Sequence, residues 1–357
     1  MVDPIFNMFK IKFDKLDDWG ALKNVKKARI YISLESVLKV LCVPRVNNYL
    51  VASGNTRQDT QRLVISNIIN LAQHYRLYCT KNKVENEIFI YWNYPYKDNF
   101  INNKYIPEYK KYYCNKMTNA NCTYIRETID DSFKQLNTII KYVNQVYLIT
   151  SDEIESSVIP YIFYRDTKDT NVKHIIVSNN KYDYQYLSHG FDIWLPDRDN
   201  SVLLNESNII KHIKDTNNIM SKINVPVNYI PFIISLMGDK YRNIPKINGV
   251  GLSSILKMID AGLQNFIITA NTTNIESLSN CINEKYRDTF ISNYRCTNLS
   301  YQYQDISGST ERNIFDQVID KYDDNALVYL NDRYFKEHLI MLIDTKYDQM
   351  YQSIFGV

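Results

Sequence analysis

The sequence predicts an α/β fold in which helices flank a central parallel sheet and a helical region follows. Short runs of β-branched and aromatic residues alternate with segments of helical periodicity up to about residue 225. Past residue 226 the strand patterns fade and helical patterns dominate. The chain of 357 residues, 45% of them hydrophobic, is long enough for one large or two ordinary domains.

The strands and helices are predicted from apolar runs and their spacing. Strands are expected at 30–33, 87–92, 146–150, 173–180 (ending in a polar turn) and 191–196. Helices are expected after the first strand to residue 41, at 60–78, at 132–143 and, despite Pro160, at 154–165. The helix at 60–78 carries an apolar stripe of Leu63, Ile65, Ile68, Ile69 and Leu71. Strands that alternate with helices in this way predict parallel βαβ units.

Composition and charge exclude several classes of protein. The formal net charge of +3 excludes a polybasic coat on nucleic acid but leaves a local basic patch open. No window of 18 uncharged apolar residues and no signal-peptide core occur, so we expect a cytoplasmic protein without a membrane partner. The six cysteines lie at irregular distances, which argues against zinc and for reduced thiols. The abundance of Asn, Tyr, Ile and Lys is typical of an AT-rich genome, such as that of a phage or virus.

One short motif suggests contact with a phosphate backbone. Gly249, Val250 and Gly251 follow a helical run and open another helix. Glycines permit a tight turn, and the free N–H groups at the start of the next helix attract phosphates without reading bases. The alternative for this motif alone is an ordinary turn between two helices.

Over a longer stretch this region resembles the 5′-to-3′ exonuclease and flap endonuclease family. Gly238-Asp239, Asn243-Ile244-Pro245 and 249–251 match the family's pattern G-D-x-x-D-N-I-P-G-V-x-G-I-G in its helix–three-turn–helix segment. Further stretches follow in the family's order. They are 30–41 at its first strand, 105–113 at its Y-P-E-Y-K motif, 152–156 at its E-A-D-D motif and 178–187 at its G-D-K-D turn.

The resemblance implies a PIN-like α/β domain joined to a helical DNA-binding element. The domains expected from it are an N-terminal extension at 1–27, the PIN-like domain at 28–225 and a helical DNA-binding region with a C-terminal extension at 226–357. The Tyr- and Lys-dense segment 93–121 corresponds to the family's arch.

The family's metal-binding acids are largely absent from this chain. Its enzymes hydrolyse phosphodiesters with two divalent cations held by carboxylates. The first-strand acid is Ser33 here, and the second falls at Trp92 or Asn93. Three further acid positions hold Ser156, Asn180 and Tyr182.

The acids that remain are Glu153, Glu155 and Asp239, and they are the candidate catalytic and metal-binding residues. Arg242 places a positive charge where the family has a carboxylate, which would repel Mg²⁺. Asp183 and Glu35 are the neighbouring acids that could substitute. Glu153 and Glu155 also fit a solvated first turn of a helix. We therefore expect no cofactor, or Mg²⁺ if displaced acids rebuild the site.

The residues expected to contact DNA are better retained than the metal-binding acids. The candidates are Gly249, Val250, Gly251, Ser253, Ser254, Arg242, Lys246 and Lys257 around the turn, and Lys104, Lys110 and Lys111 in the arch-like segment. Lysines interleaved with tyrosines suit a single strand, and a solvated surface helix is the alternative. Arg242 could grip a phosphate or pair with Asp239 on the same turn.

Three functions are consistent with this sequence. The first is a catalytically degenerate 5′-nuclease-like protein, kept as a DNA-binding or assembly subunit in phage or viral DNA metabolism. The second is an active metal-dependent 5′-to-3′ exonuclease or flap endonuclease with a rearranged acidic site. The third is a structural or interaction protein of a virion or polymerase complex. DNA is the expected partner, as duplex backbone, ends or single strands, with replication, transcription or virion proteins as further partners.

Overall fold

A computed structural model describes the elements that build the fold. It covers residues 22–37, 61, 65, 68, 71–72, 75–76, 78–93, 101–107, 109, 131–132, 134–136, 146–151, 154–166, 171–195, 202–209, 227–258 and 275–307. The strands are β1 Lys27–Ser33, β2 Glu85–Asn93, β3 Val146–Ser151, β4 Val172–Val177, β5 Asp192–Leu195 and β6 Val202–Leu204. The helices are α1 Leu34–Val37, α2 Ile159–Asp166, α3 Ile230–Met237, α4 Leu252–Met258, α5 Ile275–Ser279, α6 Arg287–Thr297 and α7 Leu299–Ser307.

The six strands form one sheet in the order β3-β2-β1-β4-β5-β6. All neighbours are parallel except β5 and β6, which are antiparallel. The chain builds β2 and β3 on one side of β1 and then crosses to β4 on the other side. This reversal opens a crevice at the carboxyl ends of β1 and β4, where ligands of open α/β sheets bind.

The centre of the sheet is buried on both faces, as a parallel sheet requires. Ile30, Tyr31 and Ile32 of β1 are fully covered. The ring of Tyr31 stacks between Phe89 of β2 and His174 of β4, with ring centroids 5.2 and 5.8 Å away. These continuous apolar runs explain why the strands could be recognised from the sequence.

The predicted strands are all present, and the α/β fold is confirmed. The described residues between 61 and 81 are helical, and Ile65, Ile68 and Leu71 are buried as the stripe requires, while Leu63 and Ile69 lie outside the described residues. The described residues at 131–136 are also helical. The short strand β6 was not predicted, because three residues carry too little pattern.

Two predicted elements differ in detail. The helix expected from residue 154 begins with a 3-10 turn, Ser156–Val158, and becomes α-helical only at Ile159. Pro160 fits in that first α-helical turn because its missing N–H is not needed there. The polar turn after β4 continues into a long 3-10 helix, Lys181–His189, whose first turn is capped by Asn180.

Among the described residues after 226, helices joined by loops are found, with one isolated bridge between Asp239 and Ile244, and these helices pack onto the core of the sheet. Phe232 of α3 meets Phe290 of α6 at 5.6 Å between ring centroids. Buried residues from the sheet and from these helices belong to one continuous apolar cluster. The domain boundary near residue 225 therefore stays a prediction. No helix within the described ranges has the length and apolar character to span a membrane.

Candidate functional site

Serine hydroxyls occupy the crevice between β1 and β4. Ser33, the last residue of β1, donates a hydrogen bond to Ser36 Oγ at 3.2 Å. The Ser36 and Ser178 hydroxyls are 3.0 Å apart, and the Asn180 N–H donates to Ser178 Oγ at 3.0 Å. All three serines are buried. The position expected to hold a metal-binding acid therefore belongs to a neutral network that satisfies its own hydrogen bonds.

Beside this network, Arg242 lies between two acids from distant parts of the chain. Its Nη2 is 3.5 Å from Glu155 Oε1, and its Nη1 is 3.6 Å from Asp239 Oδ2. The guanidinium carbon is 3.7 Å from the centroid of the Tyr182 ring. We call Arg242, Glu155, Asp239 and Tyr182 the arginine cluster. The pair expected between Arg242 and Asp239 is confirmed, whereas the contact with Glu155 was not foreseen.

Asp239 is the most heavily bonded acid of the arginine cluster. The Tyr182 hydroxyl donates to its Oδ2 at 2.9 Å, and the Lys181 ammonium lies 3.2 Å from the same oxygen. Together with Arg242, three donors converge on this carboxylate. Lys181 is half-exposed, while Asp239 and Tyr182 are buried.

A tight loop after α3 places Arg242 beside Asp239. The backbone groups of Asp239 and Ile244 exchange two hydrogen bonds of 2.9 Å, and Asn243 adopts a left-handed φ of 59°. Gly238 ends α3 with a φ of 72°, and a β-carbon there would lie 2.7 Å from the Lys246 nitrogen. Only glycine therefore fits at position 238, and the loop follows from it.

Burial and charge fix the protonation of Arg242 and Tyr182. Burial lowers the pKa of Arg242, but the nearby negative charges, Glu155 first, outweigh it and raise the pKa well above its ordinary value. Burial raises the pKa of Tyr182 well above its usual range, and Asp239 adds to this rise against the opposing charge of Arg242. The guanidinium thus stays charged, and the phenol stays a neutral donor to Asp239.

The residues present do not fit a divalent metal ion. Mg²⁺ requires several oxygen ligands in octahedral geometry. Within the described ranges no three His, Cys, Asp or Glu residues cluster closely enough to hold a metal ion. Glu155 and Asp239 both face the guanidinium, and Glu153 lies outside the described residues. What these residues do chemically is to pair with one another.

The other predicted acid positions and the two substitute acids complete this picture. Trp92 and Ser156 are buried, and Asn180 accepts a hydrogen bond from the Tyr182 N–H at 3.2 Å. Asp183 is buried in the 3-10 helix. The side chains of Asn93 and Glu35 lie outside the described residues.

The loop between α3 and α4 presents lysines to solvent. Lys246 and Lys257 are exposed, as is Ser253, while Ser254 and Val250 are half-buried. Ile247 and Ile255 anchor the loop in the core. Gly249 has a φ of 78°, whereas Gly251 has no left-handed φ and has no atom within 4 Å of a β-carbon placed there. The turn therefore requires glycine at 249, and its polar side stays open. We call residues 245–254 with Lys257 the lysine loop.

The arch-like segment is described only at its start. Lys104 is partly exposed and lies 3.6 Å from Asp305 of α7, while Lys110 and Lys111 lie outside the described residues. Tyr105 donates to Asp305 at 2.8 Å, and Arg295 Nη1 is 3.4 Å from the same oxygen. Sequence reasoning missed this junction, since residues 200 apart in the chain give no local pattern.

The start of the arch-like segment also reaches the arginine cluster. The Asn243 amide donates to the Pro107 carbonyl at 3.2 Å. Tyr109 is buried, and burial raises its pKa well above the usual range, with a further contribution from the Glu155 charge. Tyr109 therefore lies within electrostatic range of the cluster and contributes to its burial.

Comparison with known proteins identifies the fold. No protein-family model and no curated protein matches the chain. Among solved structures, a bacteriophage T5 flap endonuclease, as a pseudo-enzyme–product complex with DNA and metal ions, aligns with a TM-score of 0.55 and 12% identity over 83% of this chain and 99% of its own. The same phage's protein co-crystallised with metal ions gives 0.54 and 12%, over 83% and 100%.

A mutant of the T5 5′-exonuclease gives a TM-score of 0.52 and 11% identity, over 84% of this chain and 100% of that one. At sequence identities this low, the structural similarity establishes the fold alone. The chain thus has a 5′-exonuclease and flap endonuclease-like fold, and the family resemblance read from the sequence is confirmed at this level.

Proposed function

We propose that this chain binds DNA without cleaving it, as a catalytically degenerate 5′-nuclease-like subunit of phage or viral DNA metabolism. The observation that carries the proposal is the guanidinium of Arg242 between Glu155 and Asp239. Two-metal hydrolysis needs a cluster of carboxylates that hold cations about 4 Å apart. A fixed positive charge against the remaining acids opposes that arrangement.

The lysine loop supports DNA as the ligand. Lys246 and Lys257 are exposed, and neither has an acidic partner among the described residues. The open space beside Gly249 and Gly251 would let a phosphate backbone approach closely. Contacts of this kind read charge and not sequence, so binding should be independent of sequence and weakened by salt.

The structural neighbours add support for the same ligand. One of them is a pseudo-enzyme in complex with DNA and metal ions. A protein with a 5′-nuclease-like fold can therefore be found in complex with DNA in a form that is described as a pseudo-enzyme. For this chain we assign the contacts to the lysine loop, because Arg242 is largely covered by its acidic partners.

The test combines binding and cleavage on a 5′-flap substrate and on single-stranded DNA. Binding is measured in EDTA, and cleavage in Mg²⁺ and in Mn²⁺. We expect binding in EDTA and no cleavage above background in either metal. Cleavage that disappears in Glu155→Ala would instead establish an active nuclease with a rearranged site.

A matched pair of double variants tests where DNA binds. Lys246→Glu with Lys257→Glu should weaken binding about tenfold or more at low salt. Lys23→Glu with Lys26→Glu makes the same charge change at two exposed lysines just before the amino end of β1. Equal losses of DNA affinity in the two double variants would show that DNA is attracted unspecifically to positive charge anywhere on the protein. No binding by the parent would favour a structural protein of a virion or polymerase complex.

A further inference from the structure

We propose that the Arg242 guanidinium is a built-in cation that ties three segments together and excludes a divalent metal ion from the site. The segments are the turn after β3 with Glu155, the 3-10 helix after β4 with Tyr182, and the loop after α3 with Asp239. This inference rests on the absence of cleavage in the proposed function and deepens it with a structural role for Arg242, and it does not depend on DNA binding.

The geometry of the side chain supports this role. Each terminal nitrogen of Arg242 faces a different carboxylate, at 3.5 Å for Glu155 and 3.6 Å for Asp239. One face of the guanidinium lies on the Tyr182 ring, with 3.7 Å between its carbon and the ring centroid. A planar cation can hold two carboxylates and an aromatic face at once, which a lysine ammonium does less well.

The balance of charge in the cluster explains why the cation is needed. Glu155 and Asp239 contribute two negative charges in a buried region, and Arg242 with the half-exposed Lys181 contributes two positive ones. Without Arg242, the ion pairs described for the two acids would be reduced to the one between Asp239 and the partly solvated Lys181. Removing one partner of a buried ion pair is strongly destabilising, because the other charge stays in a region of low polarity.

The same arrangement keeps a metal ion out. An entering cation would meet the positive guanidinium at the only two acids that the described part of the site offers. It would also have to displace the Tyr182 hydroxyl and Lys181 from Asp239. If Arg242 is replaced by a neutral side chain, the two acids become available to an oxygen-seeking cation such as Mn²⁺.

The experiment measures thermal unfolding in EDTA and in MnCl₂. The parent should have the same melting temperature in both. Arg242→Met should melt roughly 5 °C lower or more in EDTA and should recover part of that loss in MnCl₂. Arg242→Met with Glu155→Gln should be less destabilised than Arg242→Met and should lose the response to Mn²⁺, since one acid is neutral.

A partly buried arginine elsewhere in the fold, Arg295, provides the control. Arg295 pairs with Asp305 and lies over Tyr105 and Tyr301, away from the arginine cluster. Arg295→Met should lower the melting temperature without any Mn²⁺ response. The proposal is wrong if Mn²⁺ stabilises the parent, or if Arg242→Met is as stable as the parent or does not respond to Mn²⁺. Should Arg242→Met fail to fold, the comparison of the parent with Glu155→Gln in EDTA and MnCl₂ still tests the proposal, because stabilisation of either by Mn²⁺ would overturn it, and none of these readouts involves DNA.

Discussion

Asp239 and Arg242 of the arginine cluster directly precede the lysine loop in the chain, but the two regions use their charges in opposite ways. In the arginine cluster every described charge faces an opposite one within the protein, and the side chains are buried. In the lysine loop Lys246 and Lys257 point to solvent. The difference indicates that the first region is closed on itself, while the second is available to a partner.

Gly238 connects the two regions, and its substitution should cause the largest loss of stability. In Gly238→Ala the new β-carbon would meet backbone atoms of Lys246 and Ile244 at 2.7 and 2.8 Å, at a left-handed φ. We expect a loss of about 3 kcal/mol or more in the free energy of unfolding. Urea unfolding measures it.

Gly251→Ala is the control for that change, since its β-carbon has no neighbour within 4 Å and its φ is not left-handed. It should change stability by less than about 1 kcal/mol. A loss as large as that in Gly238→Ala would show that steric space does not distinguish the two positions.

Acid sensitivity should arise outside both regions, at His189. Burial lowers the pKa of His189 to about 4, with Arg165 adding to the shift. Between pH 6.5 and about pH 4, His189 is protonated in the unfolded chain and neutral in the folded one. Stability should therefore fall as the pH drops through this window, by up to roughly 3 kcal/mol.

Unfolding free energies at pH 7 and near pH 4.5 check this, with His189→Gln as the comparison. The variant should lose most of the difference between the two pH values. If the difference persists in His189→Gln, His189 is not the source of the acid sensitivity.

Gly249→Ala should affect the lysine loop alone. Its φ of 78° strains any residue with a side chain, at a cost of about 1 kcal/mol.

When Gly249→Ala is combined with Arg242→Met, the two losses in the free energy of unfolding should add, because the regions are independent. Gly238→Ala combined with Arg242→Met should not add, because Gly238 positions the arginine. Additivity in both pairs would contradict the role given to Gly238.

The smallest effect concerns the salt dependence of DNA binding. Lys246→Gln should reduce the slope of log K against log salt concentration by about 1, the share of one phosphate contact. Lys23→Gln should leave the slope unchanged. Equal slopes for the parent and Lys246→Gln would remove Lys246 from the DNA contacts.

Local pattern explains which parts of this structure could be predicted. The strands β1 to β5 are recognisable because each is an apolar run. The Arg242–Asp239 pair was foreseeable because three residues separate its members on one turn. By contrast, Glu155 lies 87 positions before Arg242, and the two meet only because the turn after β3 and the loop after α3 come together in the fold.

The same limit applies to the role of side chains at the predicted acid positions. Replacing acids by Ser33, Asn180 and Tyr182 signals lost metal ligands, but the sequence does not show what the new residues do. In the structure the serine forms a hydroxyl network and the tyrosine supports Arg242. These contacts depend on packing between distant segments, which the sequence does not reveal.

The junction of Asp305 with Lys104 and Tyr105 has a consequence for the order of folding. Its partners lie 200 residues apart, so they meet only after residue 305 has been synthesised. Long-range contacts of this kind form late, because closing a long loop costs entropy before the contact stabilises it. The sheet from β1 to β5 can assemble on the ribosome well before then. The start of the arch-like segment therefore receives its anchor last, once the nascent chain has been made at least to α7.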